Sequence, residues 1–305
     1  MYSKMVRTYL INSAGRIIAV STNSKRIENL LNNSFVSKTI IPSYCIVEDG
    51  KPDFQIYLKE GEKRTKFRLD LTKRLAEISI PEKKAISDYQ FSYFLLYLFQ
   101  RLYQENDMYY LHGSYVSKGK AGTLLLGGED SGKSRVALKL CLTYNFVING
   151  DECLVFDNKT RRVIAGSSLM QMSKEKLDYF FSNENIHLAA SNRERQKEIL
   201  NTREMGLYSE VSEPITRVFY VHLNPYIPRF IELEPFDAQL SLYRDMSEDI
   251  RGVGYALLNL NKPLPSLDTY KLAKKRFRVV CDLVKEGIKV YSIRGNLEEI
   301  CRTIS

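Results

Sequence analysis

The stretch Leu124-Leu125-Leu126-Gly127-Gly128-Glu129-Asp130-Ser131-Gly132-Lys133-Ser134-Arg135, running on through Val136-Ala137-Leu138-Lys139-Leu140, decides how this chain reads. An apolar run of strand character ends in two glycines. Gly127 to Ser134 then fits G-x-x-x-x-G-K-[ST]. Beyond it, Val136, Ala137, Leu140 and Cys141 recur at helical spacing. Strand, glycine loop and amphipathic helix follow in the order that a phosphate-cradling loop requires.

The residue types explain the chemistry. Gly127 and Gly132 let the backbone bend closely around an anion. Consecutive amides turn inward toward phosphate oxygens, and a helix opening at Lys133 adds its positive end. Lys133 places a point charge on the β- and γ-phosphates, and Ser134 offers a hydroxyl to Mg²⁺. Gly127, Gly128, Glu129, Asp130, Ser131, Gly132, Lys133, Ser134 and Arg135 are therefore the candidate nucleotide contacts. A chance match to the pattern in a chain of this length is about one in a hundred. Glu129-Asp130 is the unusual pair, because carboxylates beside a triphosphate repel it unless they point outward or meet a cation. Asp130 tolerates the left-handed backbone that a third glycine would supply.

Asp151-Glu152 closes the next apolar segment, with Asp151 eighteen residues after Lys133. A carboxylate at the end of a strand beside the loop can hold Mg²⁺ or its waters. It can also take the proton of an attacking hydroxyl. Ser134, Asp151 and Glu152 are the candidate metal contacts. His112, in Leu111-His112-Gly113-Ser114, gains a role if it reaches Asp151 and tunes its basicity.

The remaining sequence bounds the alternatives. The chain has 305 residues, 44% of them apolar and 27% charged, the balance of a folded globular protein. Its net charge of +9 favours anionic partners without choosing among nucleotide, nucleic acid and acidic peptide. Nucleic acid is the less favoured of these. The five cysteines are odd in number and form no C-x-x-C pair, which points to a reducing, cytoplasmic setting. No signal peptide is read at the start. The longest apolar run, Phe91 to Phe99, is shorter than the roughly 18 residues of a membrane span, so no membrane partner is expected. With His112, His187 and His222 as the only histidines, a multi-histidine metal site is not expected.

The predicted organisation is α/β. Residues 1–105 read as a small β-rich subdomain, with a turn at Asp49-Gly50 and a closing aromatic helix from Asp88, which caps it. Residues 106–305 read as the loop-bearing core. In the core, 109–116 and 122–128 read as strands joined by a turn. Residues 146–148, 153–157, 163–165 and 217–223 are further strands. Residues 173–212 read as short helices or a mobile loop over the site. Ser266 to Glu286 reads as an amphipathic helix stopping at Gly287. Lys271, Lys274, Lys275, Arg276 and Arg278 on it suit an acidic partner or a solvated face. Asn296 caps a last short helix.

Taken together, "LHGSYV", "GTLLLGGEDSGKSRVALKL" and "NFVINGDECLVFD" resemble the core of the HPr kinase/phosphorylase group, across about 50 residues (110–157). The C-terminal "GIKVYSIRGNLEEICRTI" is similar to the tails of smaller relatives in bacterial peptide-modification pathways. The resemblance implies a phosphoenolpyruvate-carboxykinase-like P-loop core with a mixed sheet. It implies ATP and Mg²⁺ as cofactors, Asp151 as general base with His112 as its partner, and Lys133 and Ser134 on the phosphates. It also implies a serine hydroxyl as acceptor, and homo-oligomers occur in the group. The chain departs from the pattern at Glu152, where the group has Asp, and at Asp130, where small relatives have Gly. The downstream glycine-rich segment that contacts HPr is missing; "AGSSLMQMSKEK" matches it poorly. A divergent kinase of a peptide or protein serine is the reading. A nucleotide-binding scaffold or sensor, and a kinase of a small hydroxylated metabolite such as free serine, stand as its alternatives.

Overall fold

The computed structural model describes residues 6–64, 66–81, 86–182, 184, 186–192, 196–224, 226–248, 250–251 and 266–305. The chain forms two compact units, Met1–Asn106 with Asp249–Asp268, and Asp107–Glu248 with Thr269–Ser305.

The first unit contains β1 (Arg7–Ser13), β2 (Arg16–Thr22), α1 (Lys25–Asn33), α2 (Phe35–Ile40), β3 (Cys45–Val47), β4 (Phe54–Glu60), β5 (Lys66–Asp70), β6 (Leu75–Ile80) and α3 (Asp88–Glu105). Its strands lie in the order β3-β1-β2-β4-β6-β5. The tight hairpin falls at Ala14-Gly15, whose φ angles of 48° and 73° suit a turn left-handed at both central residues. The hairpin expected at Asp49-Gly50 does not form. β3 pairs with β1, and β4 runs parallel beside β2. Asp53 causes this, since its amide donates to the Ile17 carbonyl and its carboxylate accepts from the Ile17 amide.

Helices α1 and α2 interrupt a stretch expected to be β-rich. Ser24 and Ser34 cap them, and Ile27, Leu30 and Leu31 bury one face. α3 forms as expected, but its cap is Ser87. Ser87 Oγ accepts from the Gln90 amide and the Gln90 side chain accepts from the Ser87 amide, leaving Asp88 at the first helical position.

The second unit contains β7 (Met108–His112), β8 (Ser114–Lys118), β9 (Ala121–Leu126), α4 (Lys133–Tyr144), β10 (Val147–Asp157), β11 (Arg162–Ser167), β12 (Leu169–Met172), α5 (Lys174–Phe181), β13 (Leu188–Asn192), β14 (Lys197–Asn201), β15 (Ile215–Leu223), β16 (Arg229–Glu232), α6 (Pro235–Asp245), α7 (Tyr270–Lys285), β17 (Lys289–Gly295) and α8 (Leu297–Ile304). The main sheet has the order β11-β10-β8-β9-β15-β17-β16, with β7 also pairing on β10. It is mixed: β9, β15 and β17 are parallel and their neighbours antiparallel. The protein is thus of mixed α/β class.

Both faces of this sheet are covered, which is why Leu124-Leu125-Leu126 is apolar without alternation. Leu125, Phe219, Val221 and Ile293 pack with Val136 and Leu140 of α4, Leu177 and Phe181 of α5, and Ile300 and Ile304 of α8. Leu124, Leu126, Val218 and Val290 face the other way, against Ala238 and Leu242 of α6 and Val279 and Leu283 of α7.

Three expectations are revised in this unit. The segment expected to be short helices or a mobile loop supplies α5 and, with β12, a second sheet of order β12-β14-β13. The long helix opens at Tyr270, capped by Thr269, because the Thr269 hydroxyl accepts from the Leu272 amide. Arg276 is not on the surface. It is fully buried, its Nε donates to Ser247 Oγ at 2.8 Å, and its guanidinium lies over the Tyr243 ring. All five cysteines are free thiols. Among the described residues no helix is long and apolar enough to cross a membrane.

Candidate active site

The glycine loop leaves β9 at Gly127 and enters α4 at Lys133. Two of its glycines are required by the fold. A side chain on Gly132 (φ 108°) would meet the Leu223 side chain at 2.4 Å. One on Gly127 (φ 136°) would meet the Val221 carbonyl and Ser131 Oγ at 2.8 Å. β15 therefore closes against the loop, and the Leu223 amide donates to the Ser131 carbonyl at 2.8 Å. Gly128 has open space around it and carries no such constraint. Asp130 adopts φ 59°, the left-handed conformation expected of it.

Lys133 is buried and folds back over the loop, its Nζ donating to the carbonyls of Gly127 and Gly128 at 2.9 Å each. Burial pulls its pKa down, opposed by the charges of Glu152, Asp151, Asp245 and Glu129. Gly132 provides no side-chain cap to α4, so the first amides of that helix keep free donors. Ser131 Oγ is buried with no hydrogen-bond partner among the described residues. A cationic head, uncapped amides and an orphaned hydroxyl converge on one loop. That donor set fits a polyphosphate.

The acidic pair is accounted for. Asp130 Oδ1 pairs with Lys176 Nζ of α5 at 2.6 Å, and this hydrogen bond holds its carboxyl below the usual range. Glu129 is exposed.

Asp151 reaches the loop through a distortion of β10. The register of β10 shifts against β8 after Ile148, and against β11 after Asp151. Glu152 takes φ 63°, unusual within a strand. Gly150 lies so close to β11 that a side chain would meet Gly166 Cα at 2.8 Å. The result turns Asp151 inward, 1% exposed, and leaves Glu152 partly exposed. Ser134 Oγ donates to Asp151 at 3.0 Å from either carboxylate oxygen, and Ser114 Oγ donates to Oδ1. Burial, reinforced by the Glu152 charge, pushes the Asp151 carboxyl up to about 7, against the pull of the two hydroxyls and Lys133.

His112 ends β7, and its Nε2 lies 3.8 Å from Glu152 Oε2. The structure brings it to Glu152 rather than to Asp151, because Glu152 occupies the outward side of the bulge. Gly113 separates β7 from β8. Its amide donates to the Glu152 carbonyl, and a side chain there would meet the Leu125 carbonyl at 2.6 Å. That close approach delivers Ser114 to Asp151. Arg135 points back along the loop, where Nη2 donates to the Asp130 carbonyl at 3.0 Å.

The oxygen set of Ser134 and Asp151, with Glu152 beside it, suits a hard cation held mainly by ligand phosphates and water. No group of three or more His, Cys, Asp or Glu that could hold a metal ion by themselves exists among the described residues.

No family model matches the chain, and no curated protein matches it. Among solved structures it is similar to the Hpr(Ser) kinase/phosphatase from Coxiella burnetii, with a TM-score of 0.28 and 10% identity over 64% of this chain and 90% of that one. A likeness of that size fixes neither family nor activity.

Two contributors were not legible beforehand. Ser114 stands two residues after His112, and its place in "HGS" was the available signal. Lys176 carries no local signal, because its contact with Asp130 spans 46 residues.

Proposed function

We propose that this chain is an ATP-dependent phosphotransferase that passes the γ-phosphoryl group to a serine-type hydroxyl on a peptide or protein. The observation that carries the reading is the buried Asp151 carboxyl, poised near neutrality and bonded to the hydroxyl that follows the loop lysine. A carboxylate in that range is matched to the task of a general base at neutral pH.

In this reading the loop amides, Ser131 Oγ and Lys133 Nζ bind the phosphates. Lys133 exchanges its two carbonyl partners for phosphate oxygens. Ser134 Oγ, with Asp151 or Glu152 beside it, would hold Mg²⁺ together with the phosphates, and the cation would supply charge neutralisation there. Asp151 accepts the proton of the acceptor hydroxyl as its oxygen bonds to the γ-phosphorus. The bond from that phosphorus to the β–γ bridging oxygen breaks, and ADP departs. Ser114 holds Asp151 in place throughout. His112 orients Glu152. The peptide or protein acceptor follows from the sequence resemblance.

The test is transfer of labelled γ-phosphate from ATP to a library of serine peptides. The wild-type chain should label a subset. Asp151→Asn should lower the rate by about a hundredfold or more. Labelling that survives Asp151→Asn unchanged removes Asp151 as the base. Mg-ATP binding without transfer to any hydroxyl would favour a nucleotide-binding scaffold.

A further inference from the structure

Helix α5 presents two pairs of side chains at helical spacing, each with its own destination. Leu177 and Phe181 are buried and join the core on the α4 face of the sheet. One position back in each case, Lys176 reaches the glycine loop and Phe180, which also packs against that core, reaches Arg135 in the first turn of α4. Lys176 Nζ meets Asp130 Oδ1 at 2.6 Å, and the Phe180 ring lies 5.1 Å beneath the Arg135 guanidinium. Arg135 in turn donates to the Asp130 carbonyl at 3.0 Å. Asp130 is thus gripped at both its side chain and its backbone. Its φ of 59° is left-handed, a conformation that Asp tolerates better than most residues, and the two contacts fix it there.

The same contacts address charge. Glu129 and Asp130 place two carboxylates on a loop built for a polyanion. Lys176 is the direct partner of Asp130, and Lys197 and Arg135 add their fields. None of these three cations belongs to the G-x-x-x-x-G-K-[ST] pattern.

We infer that Lys176 is a positioning residue of the phosphate-binding loop, compensating the Asp130 charge and fixing the loop so that an acidic sequence can accept a nucleoside triphosphate. The inference rests on the nucleotide-binding half of the proposed function and is independent of the acceptor. It assigns to α5, outside the motif, part of the affinity for the phosphate donor.

The experiment is calorimetric titration of Mg-ATP into four full-length proteins at low salt: wild type, Lys176→Met, Asp130→Asn and the double variant, each checked for folding by circular dichroism. Lys176→Met should weaken binding by about tenfold, since it removes the direct partner of a carboxylate on the phosphate-binding loop and leaves only the more distant fields of Lys197 and Arg135. Asp130→Asn alone should bind within about threefold of wild type, and the double variant should return to that range. Rescue by Asp130→Asn is a readout that a purely structural role for Lys176 would not produce. Wild-type affinity in Lys176→Met overturns the inference while leaving the proposed function standing. A double variant as weak as Lys176→Met also overturns it, because Lys176 would then be acting on the phosphates directly or through packing. Absence of Mg-ATP binding in all four proteins overturns both readings. Binding that follows the expected order without transfer to any hydroxyl overturns the proposed function alone.

Discussion

Ser134 Oγ lies 3.0 Å from both carboxylate oxygens of Asp151, so the hydroxyl that follows the loop lysine is tied to the one fully buried carboxyl beside it. This contact joins the two halves of the proposed site, the glycine loop with α4 as phosphate binder and β10 as the source of the proton acceptor. In a nucleotide complex Ser134 is free to turn to a cation, which leaves Ser114 as the remaining hydroxyl on Asp151.

Ser114 should therefore control the acidic limb of the reaction. Its hydrogen bond lowers the Asp151 pKa, so Ser114→Ala removes a stabiliser of the ionised form and raises that pKa above its value of about 7. As the proposed base, Asp151 would act only when ionised. The expected outcome is a pH–rate profile whose acidic limb moves to higher pH, with the rate falling several-fold at pH 7 and recovering near pH 9. Labelled-phosphate transfer across pH 6 to 9 checks it.

Asp151 also has a stability signature. Its folded pKa lies above its unfolded value, so the folded state binds more protons than the unfolded state between about pH 4 and 7. Stability contributed by the protonated form is present below about pH 4 and is lost as pH rises through about 7. Asp151→Asn removes this dependence. The variant should gain on wild type as pH rises, by at most about 4 kcal/mol between pH 4 and pH 8. Denaturant melts of both proteins at several pH values measure the gap. A variant-minus-wild-type stability difference that falls as pH rises has the wrong sign.

His112 meets Glu152 at 3.8 Å and makes no described hydrogen bond to Asp151. Its effect on the reaction should pass through Glu152. In double-mutant cycles on the transfer rate, His112→Ala should couple to Glu152→Gln by about 0.5 kcal/mol or more, and to Asp151→Asn by less. The reverse order would reassign the histidine.

Gly150 faces Gly166 across β10 and β11 at a separation that admits no side chain. Gly150→Ala should force the strands apart at the bulge that inverts Asp151, at a cost of about 2 kcal/mol or more. Gly206, left-handed at φ 72° but with open space around it, should cost less. Thermal melts of the two alanine variants compare them.

Much of the core was legible because its signals are local. The loop, the amphipathic α4, the β8–β9 hairpin and the Asn296 cap of α8 each lie within a few residues of their cause. What was not legible depends on distant partners. Asp49-Gly50 has the composition of a hairpin turn, yet the strand after it is recruited by Ile17 through Asp53. α1 and α2 were hidden in a β-rich reading although Ser24 and Ser34 stand at their starts. Arg276 sits in a run of surface cations and is the one drawn inside, because Ser247 and Tyr243 receive it. At the site, the inward turn of Asp151 comes from a positive φ at Glu152, and no residue type announces that. The Asp130–Lys176 pair answers the charge problem visible in the loop, but its cation comes from a helix whose position only the fold defines.

The most direct test of the account is calorimetric titration of Mg-ATP into the wild-type chain and into Lys133→Ala. The loop reading expects saturable binding in the wild type and its loss, by about a hundredfold or more, in the variant, whose buried ammonium is the only side-chain cation on the Gly127 and Gly128 carbonyls among the described residues. Equal binding by the two proteins, or none by the wild type, would contradict the assignment of this loop to a nucleoside triphosphate.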